Sequence, residues 1–413
     1  MPFDAARQGL STLVNHLGEK VSSSNAHVMP IYQTSVFRFS SVDEGRSIVE
    51  GSQPGHYYTR IGNPNQENLA QVIAALEGLD LWRAQPQRAI GEIVAGRVFA
   101  SGMAAITSVM MGRVRSGDTI LAQESLYSHT YTYLTEIAPR LGIKVVWVKD
   151  TSAQGWEMAL KANPEAVLVY VETPANPTMW VVDLQMAADL AHRYDCWLVV
   201  DNTFATPYCQ RPLSLGADVV VHSTTKYLSG HGAIIGGAAV SRHPQFVRNE
   251  LQTALKLYGG VPSPFDCWLA HLGLKTFELR MERHCQNAQG VAQYLERHSK
   301  VKTVHYPGLE SSPWHAIAKR QMHAYGGMLS FELKGGYRAG KELLNRVRLA
   351  TLAVSLGNVD TLIQHPASMT HFSVPPEERL RTGLTEGLVR LSVGIENLED
   401  ILADLEQALE GID

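Results

Sequence analysis

The stretch "VVVHSTTKYLSGHGAIIGG" (219–237) decides the fold. It begins as a buried strand and ends in glycines. Between them a single lysine, Lys226, is ringed by Ser223, Thr224, Thr225 and Ser229. Valine at consecutive positions, with no polar alternation, reads as a strand covered on both faces. A primary amine and four hydroxyls at the mouth of such a strand raise the question of what they serve. Most lysines are solvated surface charges, so the answer depends on what else the chain brings to that point.

Outward from this stretch the same pattern recurs. Apolar runs predict strands at "GRVFAS" (96–101), "DTILAQ" (118–123), "IKVVWV" (143–148), "AVLVYVET" (166–173), "CWLVVDNT" (196–203), "DVVVHST" (218–224) and "IIGGAAV" (234–240). Amphipathic pieces such as "AAITSVMMGRVR" and "LQMAADLAHRY" lie between them. This alternation predicts an α/β fold, a mostly parallel central sheet covered by helices, with right-handed crossovers. After about residue 265 the pattern changes. One long helical stretch, "FDCWLAHLGLKTFELRMERHCQNAQGVAQYLERH", precedes "GGMLSFELKGG" and a closing helix, "NLEDILADLEQALEGI". This reads as a smaller α+β C-terminal domain. At 413 residues, two packed regions are expected. Residues 79–97 are less regular and read as a surface excursion.

Composition narrows the function. Hydrophobic content of 45% and charge of 18% describe a soluble globular chain. A net charge of −4 leaves no basic footprint for nucleic acid or membrane. "MPFDAARQGLSTLVNHLGEK" has no apolar signal core, and no run reaches the roughly 20 apolar residues of a spanning helix. A cytoplasmic protein is expected, and Cys196, Cys209, Cys267 and Cys285 read as buried reduced thiols.

In an open parallel sheet, ligands bind beyond the carboxyl ends of the strands. Asp201 closes "LVVD", Glu172 and Thr173 close "LVYVET", and Lys226 follows "VVVHSTT". Ser101-Gly102-Met103 closes "VFAS" and opens a helix, whose first N–H groups form an anion cradle. Taken singly, Asp201-Asn202 reads as a strand-ending turn. Together, the amine, carboxylate, hydroxyls and cradle match what pyridoxal phosphate requires. "GHGAIIGG" is not GxGxxG and precedes a strand-like run, so it does not read as a dinucleotide loop. No carboxylate or thiol has metal-ligand spacing to His222 or His231, so no metal is expected.

The chain resembles the Cys/Met-metabolism family of pyridoxal phosphate enzymes. Its known members include methionine γ-lyase, cystathionine γ-lyase, cystathionine γ-synthase and O-acetylhomoserine sulfhydrylase, and the likeness is greatest to the first. The resemblance rests on "PIYQTSVF", "YYTRIGNPN", "ASGMAAI", "VETPANPT", "VVDNTFATPY", "GADVVVHSTTKYLSGH", "HPASMTH" and "LVRLSVGIE". It implies the aspartate-aminotransferase-like fold (fold type I) and a homotetramer of close dimers with shared active sites. Residues 1–62 would be an arm reaching the neighbouring subunit, 63–264 the cofactor-binding large domain, and 265–413 the small domain.

By motif position, Lys226 resembles the Schiff-base lysine and Asp201 the partner of the pyridine nitrogen. Tyr127 resembles the tyrosine that stacks on the ring and serves as an acid near the leaving group. Ser101, Gly102, Met103, Ser223 and Thr225 fall at the phosphate site, completed by Tyr58 and Arg60 from the partner chain. Asn176 resembles the residue near the ring's 3-oxygen, and Ser355 and Arg390 the substrate carboxylate site. A charge within apolar "LVRLSV" already called for a fixed anionic partner.

The implied reaction is γ-elimination on a sulfur amino acid, methionine first, giving methanethiol, 2-oxobutanoate and ammonia. The alternatives are γ-replacement on an activated homoserine ester and cystathionine γ-lysis. Departures from the pattern bear on that choice. His129 stands where methionine γ-lyases usually carry cysteine, and Lys256 lacks its usual acidic neighbour. Val354 stands where cystathionine γ-lyases tend to carry glutamate, and an apolar residue suits a thioether tail. The 79–97 excursion is also unusual for the family.

Overall fold

A computed structural model describes residues 5–18, 25–372 and 374–412. The seven expected strands form one sheet: β1 (Ala95–Phe99), β2 (Thr119–Gln123), β3 (Lys144–Val148), β4 (Ala166–Glu172), β5 (Trp197–Asp201), β6 (Val219–His222) and β7 (Gly237–Ser241). Their order is β1-β7-β6-β5-β4-β2-β3. β7 runs antiparallel to both β6 and β1, while β3, β2, β4, β5 and β6 pair in parallel.

Each strand buries alternate residues on opposite faces. Tyr170, Val199, Val219 and Val221 pack with the helix Gly102–Arg113. Leu198 and Val200 pack with the helix Leu184–Arg193. The helix Pro64–Glu77 covers Val98, Val220 and Val240. These helices start where the sequence provides caps. Ser101 accepts from Ala104 N, Asp183 from Met186 N, and Asn63 from Asn65 N ahead of Pro64.

A second sheet holds β8 (Val301–His305), β9 (Met328–Leu333), β10 (Thr351–Leu352), β11 (Leu362–Gln364) and β12 (Leu388–Ser392), ordered β10-β11-β12-β9-β8. The long helices Phe277–Arg297 and Leu398–Glu410 pack against it. Two expectations need correction here. The long helical stretch is broken into Pro264–Leu274 and Phe277–Arg297. The backbone of Gly273 sits against Ser229, where a Cβ would fall 2.2 Å from its carbonyl oxygen. Arg280 Nη2 captures the Gly273 carbonyl at 2.8 Å. Nor is 79–97 simply a surface excursion. It folds as two short helices, Leu79–Ala84 and Ile90–Ile93, and buries Leu79, Ile93 and Val94 at its two ends.

Candidate active site

A cavity of about 460 Å³ opens at the carboxyl ends of β4, β5 and β6. It gathers Ser101, Gly102, Met103, Tyr127, His129, Asn176, Asp201, Ser223, Thr225, Lys226, Val354, Ser355 and Arg390. Of the residues the family resemblance assigned to the cofactor and substrate, Tyr58 and Arg60 lie elsewhere. Arg60 Nη1 donates to the Lys256 carbonyl at 2.7 Å, and its guanidinium lies over the Tyr58 ring. Both are exposed in the single chain.

Lys226 Nζ donates to Ser355 Oγ at 2.6 Å. Burial, and then the charge of Arg390, lower its pKa to about 8. Arg390 is buried and donates to Asn176 Oδ1 at 2.8 Å and to the Ser355 carbonyl at 2.6 Å. Gln364, with its amide oxygen turned inward, accepts from Arg390 Nε at 2.8 Å. These partners hold the guanidinium without neutralising it. Burial lowers the Arg390 pKa to about 10, which leaves a cation at neutral pH.

Asp201 ends β5 and accepts from Thr203 N at 3.0 Å, a local turn that fixes its carboxylate. Thr203 Oγ1 accepts in turn from Ser223 N at 2.9 Å, joining the ends of β5 and β6. Burial pushes the Asp201 pKa up, opposed by the Thr203 hydrogen bonds and by His222. Glu172 stands beside Asp201 in the parallel register. Its carboxylate accepts from Tyr127 N at 2.9 Å and Asn176 N at 2.6 Å. Burial and then the Asp201 charge push Glu172 up to about 8. Burial, with Glu172 adding to it, also raises the Tyr127 phenol.

At the far wall, Ser101 caps the helix Gly102–Arg113 through its side chain to Ala104 N and its carbonyl to Ala105 N. Among the described residues nothing accepts from Gly102 N or Met103 N. The wall is close-packed. A Cβ on Gly102 would meet Ser223 Cβ at 2.8 Å, and one on Gly237 would lie 2.1 Å from the Ser101 carbonyl.

The chain matches the family described as "Cys/Met metabolism PLP-dependent enzyme" across residues 11–410. It belongs to that family. An L-methionine γ-lyase of Fusobacterium nucleatum is 46% identical over 411 residues, 99% of this chain and 100% of the relative. Another from Pseudomonas putida is 45% identical over 97% of each chain. A cystathionine γ-lyase of Bacillus subtilis is 42% identical over 93% of this chain and 94% of the relative. Among solved structures, cystathionine γ-synthase from Xanthomonas oryzae, in complex with cystathionine, superposes with a TM-score of 0.89 at 35% identity over 98% of each chain. The fold is therefore that of the Cys/Met-metabolism enzymes, and the enzyme is pyridoxal phosphate-dependent.

The cavity fits the family's cofactor by its own chemistry. It offers the Lys226 amine of lowered pKa, the Asp201 carboxylate at a strand end, the Tyr127 ring and, among the described residues, two unpartnered N–H groups at a helix start. Thr225 is less free than its position in the motif implied. Its hydroxyl donates to the Gly236 carbonyl at 3.2 Å and accepts from Gly236 N at 3.0 Å. Sequence reading placed Glu172 at the ligand-binding rim of the sheet but gave it no role, and did not give Thr203 a place in the site. Thr203 had a signal, since "DNT" is a turn sequence immediately after the carboxylate. Glu172 had only its position at the end of β4.

Proposed function

We propose that this chain is a methionine γ-lyase, cleaving L-methionine to methanethiol, 2-oxobutanoate and ammonia. The single observation that carries the reading is the convergence of Lys226, Tyr127, Asp201 and Arg390 on one cavity whose outer wall includes apolar Val354. The relatives named methionine γ-lyase, at 43–46% identity over nearly the whole chain, support it.

When bound, pyridoxal phosphate supplies an electrophilic carbonyl and a ring that accepts electrons from the substrate's Cα. In the proposed site Lys226 holds it, and Gly102 N, Met103 N, Ser223 and Thr225 bind its phosphate. Arg390 takes the substrate carboxylate as a fork, with Asn176 and the Ser355 carbonyl fixing the guanidinium plane. The free Lys226 amine would be the base that removes the substrate's Cα proton. Its lowered pKa leaves an appreciable neutral fraction near neutral pH. Asp201 holds a proton at the pyridine nitrogen. Tyr127 gives its phenolic proton to the departing sulfur, and its raised pKa keeps that proton in place until then. Glu172 is a positioning residue that sets the backbone of Tyr127 and Asn176.

The same reading makes the protein a cytoplasmic homotetramer of close dimers. Residues 1–62 form the arm that carries Tyr58 and Arg60 to the neighbouring site, 63–264 the cofactor domain, and 265–413 the small domain. γ-Replacement is the competing reading, favoured by the structural likeness to a cystathionine γ-synthase. A product assay separates them, using methionine, cystathionine and O-acetylhomoserine with and without added thiol. 2-Oxobutanoate from methionine alone, faster than from cystathionine, is expected. Turnover of O-acetylhomoserine only with a nucleophile, with methionine inert, moves the protein to replacement.

A further inference from the structure

We propose that a second cavity, built in part by residues 79–97, binds a small aliphatic carboxylate between Arg97 and Arg248. The cavity has a volume of about 290 Å³ and lies outside the catalytic one. Its walls are strand β1 at the edge of the large sheet, the helix Pro64–Glu77, the short helix Ile90–Ile93 and the segment Val247–Leu251. It shares no lining residue with the active-site cavity.

Arg97 carries the inference. Its Nε is shielded from solvent and has no hydrogen-bond partner. That N–H has lost its hydration with no hydrogen bond to replace it, so an acceptor brought to it would satisfy an existing demand. Burial holds its pKa below the ordinary value, and the charge of Glu67 acts against this. Glu67 is a weak counter-ion here. Its carboxylate is about half exposed and hydrogen-bonds His56 at 3.0 Å. The second cation, the exposed Arg248, is anchored by donation to the Gly91 carbonyl at 2.6 Å, a neutral acceptor. The excursion therefore positions one of the two arginines that line the cavity. Glu92, the acid of the excursion's short helix, is turned to Arg88 at 3.6 Å.

The other walls choose among anions. Glu67 and Gln71 also line the space, Glu67 drawn to His56, and apolar Ala70, Ala74, Ile90, Val94 and Val247 supply much of the remaining wall. An inorganic oxyanion would satisfy the arginines and leave these apolar side chains in contact with water. A carboxylate with a short aliphatic chain satisfies both, because the guanidinium fork matches its planar head and the chain displaces water from the walls.

Thermal melts of the holoenzyme at fixed ionic strength test this, with butanoate, inorganic phosphate and butylammonium as probes. Butanoate should raise the Tm saturably by mass action, phosphate less and butylammonium not at all. Arg97→Met should weaken half-saturation by butanoate roughly tenfold or more, and Arg97→Lys should restore part of it. Arg248→Met reads the same site from the opposite wall without altering the sheet. A full butanoate shift in both methionine variants would place the anion elsewhere, at Arg390 for instance, and sink the proposal. So would the absence of any shift in the unmodified protein. Phosphate stabilising as well as butanoate does would overturn the carboxylate assignment.

Discussion

Ser355 Oγ accepts a 2.6 Å hydrogen bond from Lys226 Nζ, so the second sheet's connector holds the amine that follows β6 of the first. Ser355 takes a left-handed backbone at φ +85°, a strain borne by a non-glycine residue at the centre of the site.

With its pKa lowered from 10.5 to about 8 by burial and Arg390, Lys226 is neutral over a wider range than an ordinary lysine. Only the neutral amine is nucleophilic. The rate at which apoenzyme recaptures pyridoxal phosphate should therefore rise with pH through about 8 and level off above it. Arg390→Met removes the second cause and should move the midpoint upward. Between pH 8 and 10.5 the unfolded chain binds more protons at this residue than the folded one. The contribution of Lys226 to apoenzyme stability should thus improve as pH rises across that window. Reconstitution followed by bound-cofactor absorbance, with a midpoint that stays near 10.5, would contradict the assignment.

Asp201→Asn keeps the shape and the turn but not the charge. Turnover should fall roughly hundred- to thousand-fold, the scale seen when one electrostatic partner of a transition state is lost. Cofactor content, measured after dialysis, should fall far less. Full activity in the Asp201→Asn variant would show that the ring nitrogen needs no carboxylate here.

Arg390→Lys should raise KM for methionine by roughly tenfold or more, because an ammonium cannot reproduce a two-pronged carboxylate contact. kcat should change less. Steady-state kinetics with an equal loss in kcat and unchanged KM would move Arg390 from binding to the chemical step.

Much of this site was legible because β-sheet chemistry places it at strand ends. Asp201, Asn176 and Lys226 follow apolar runs that could be read directly, and the cradle at Gly102 follows another. Glu172 was visible as the end of β4, but its work is to hold Tyr127, 45 residues away, and no local pattern records that contact. The break at Lys275–Thr276 was hidden for a similar reason. The helical pattern runs on across it, and the interruption comes from Gly273 lying against Ser229. The direction of β7 had a quieter signal, since the link from β6 has no helix-period segment for a parallel crossover.

Arg60→Ala alone should weaken cofactor retention, and Lys226→Ala alone should abolish turnover. Mixed under conditions that exchange subunits, the two variants should regain part of the activity, because a hybrid dimer contains one site intact in both residues. Assays of the mixture that stay at background would assign Tyr58 and Arg60 to their own chain.

The close packing at Gly102, and at Gly237 behind it, also governs how this enzyme can change. A Cβ would fall 2.8 Å from Ser223 Cβ at Gly102 and 2.1 Å from the Ser101 carbonyl at Gly237, so neither position accepts a side chain without displacing backbone or Ser223. Random substitution on the proposed phosphate side should mostly yield proteins that lose the cofactor, whatever their substrate. Val354 and His129 on the opposite wall are exposed, and their side chains can change size without moving the chain. New substrate preferences, whether arrived at by selection or in a mutant library, should accumulate there while the cofactor wall stays fixed.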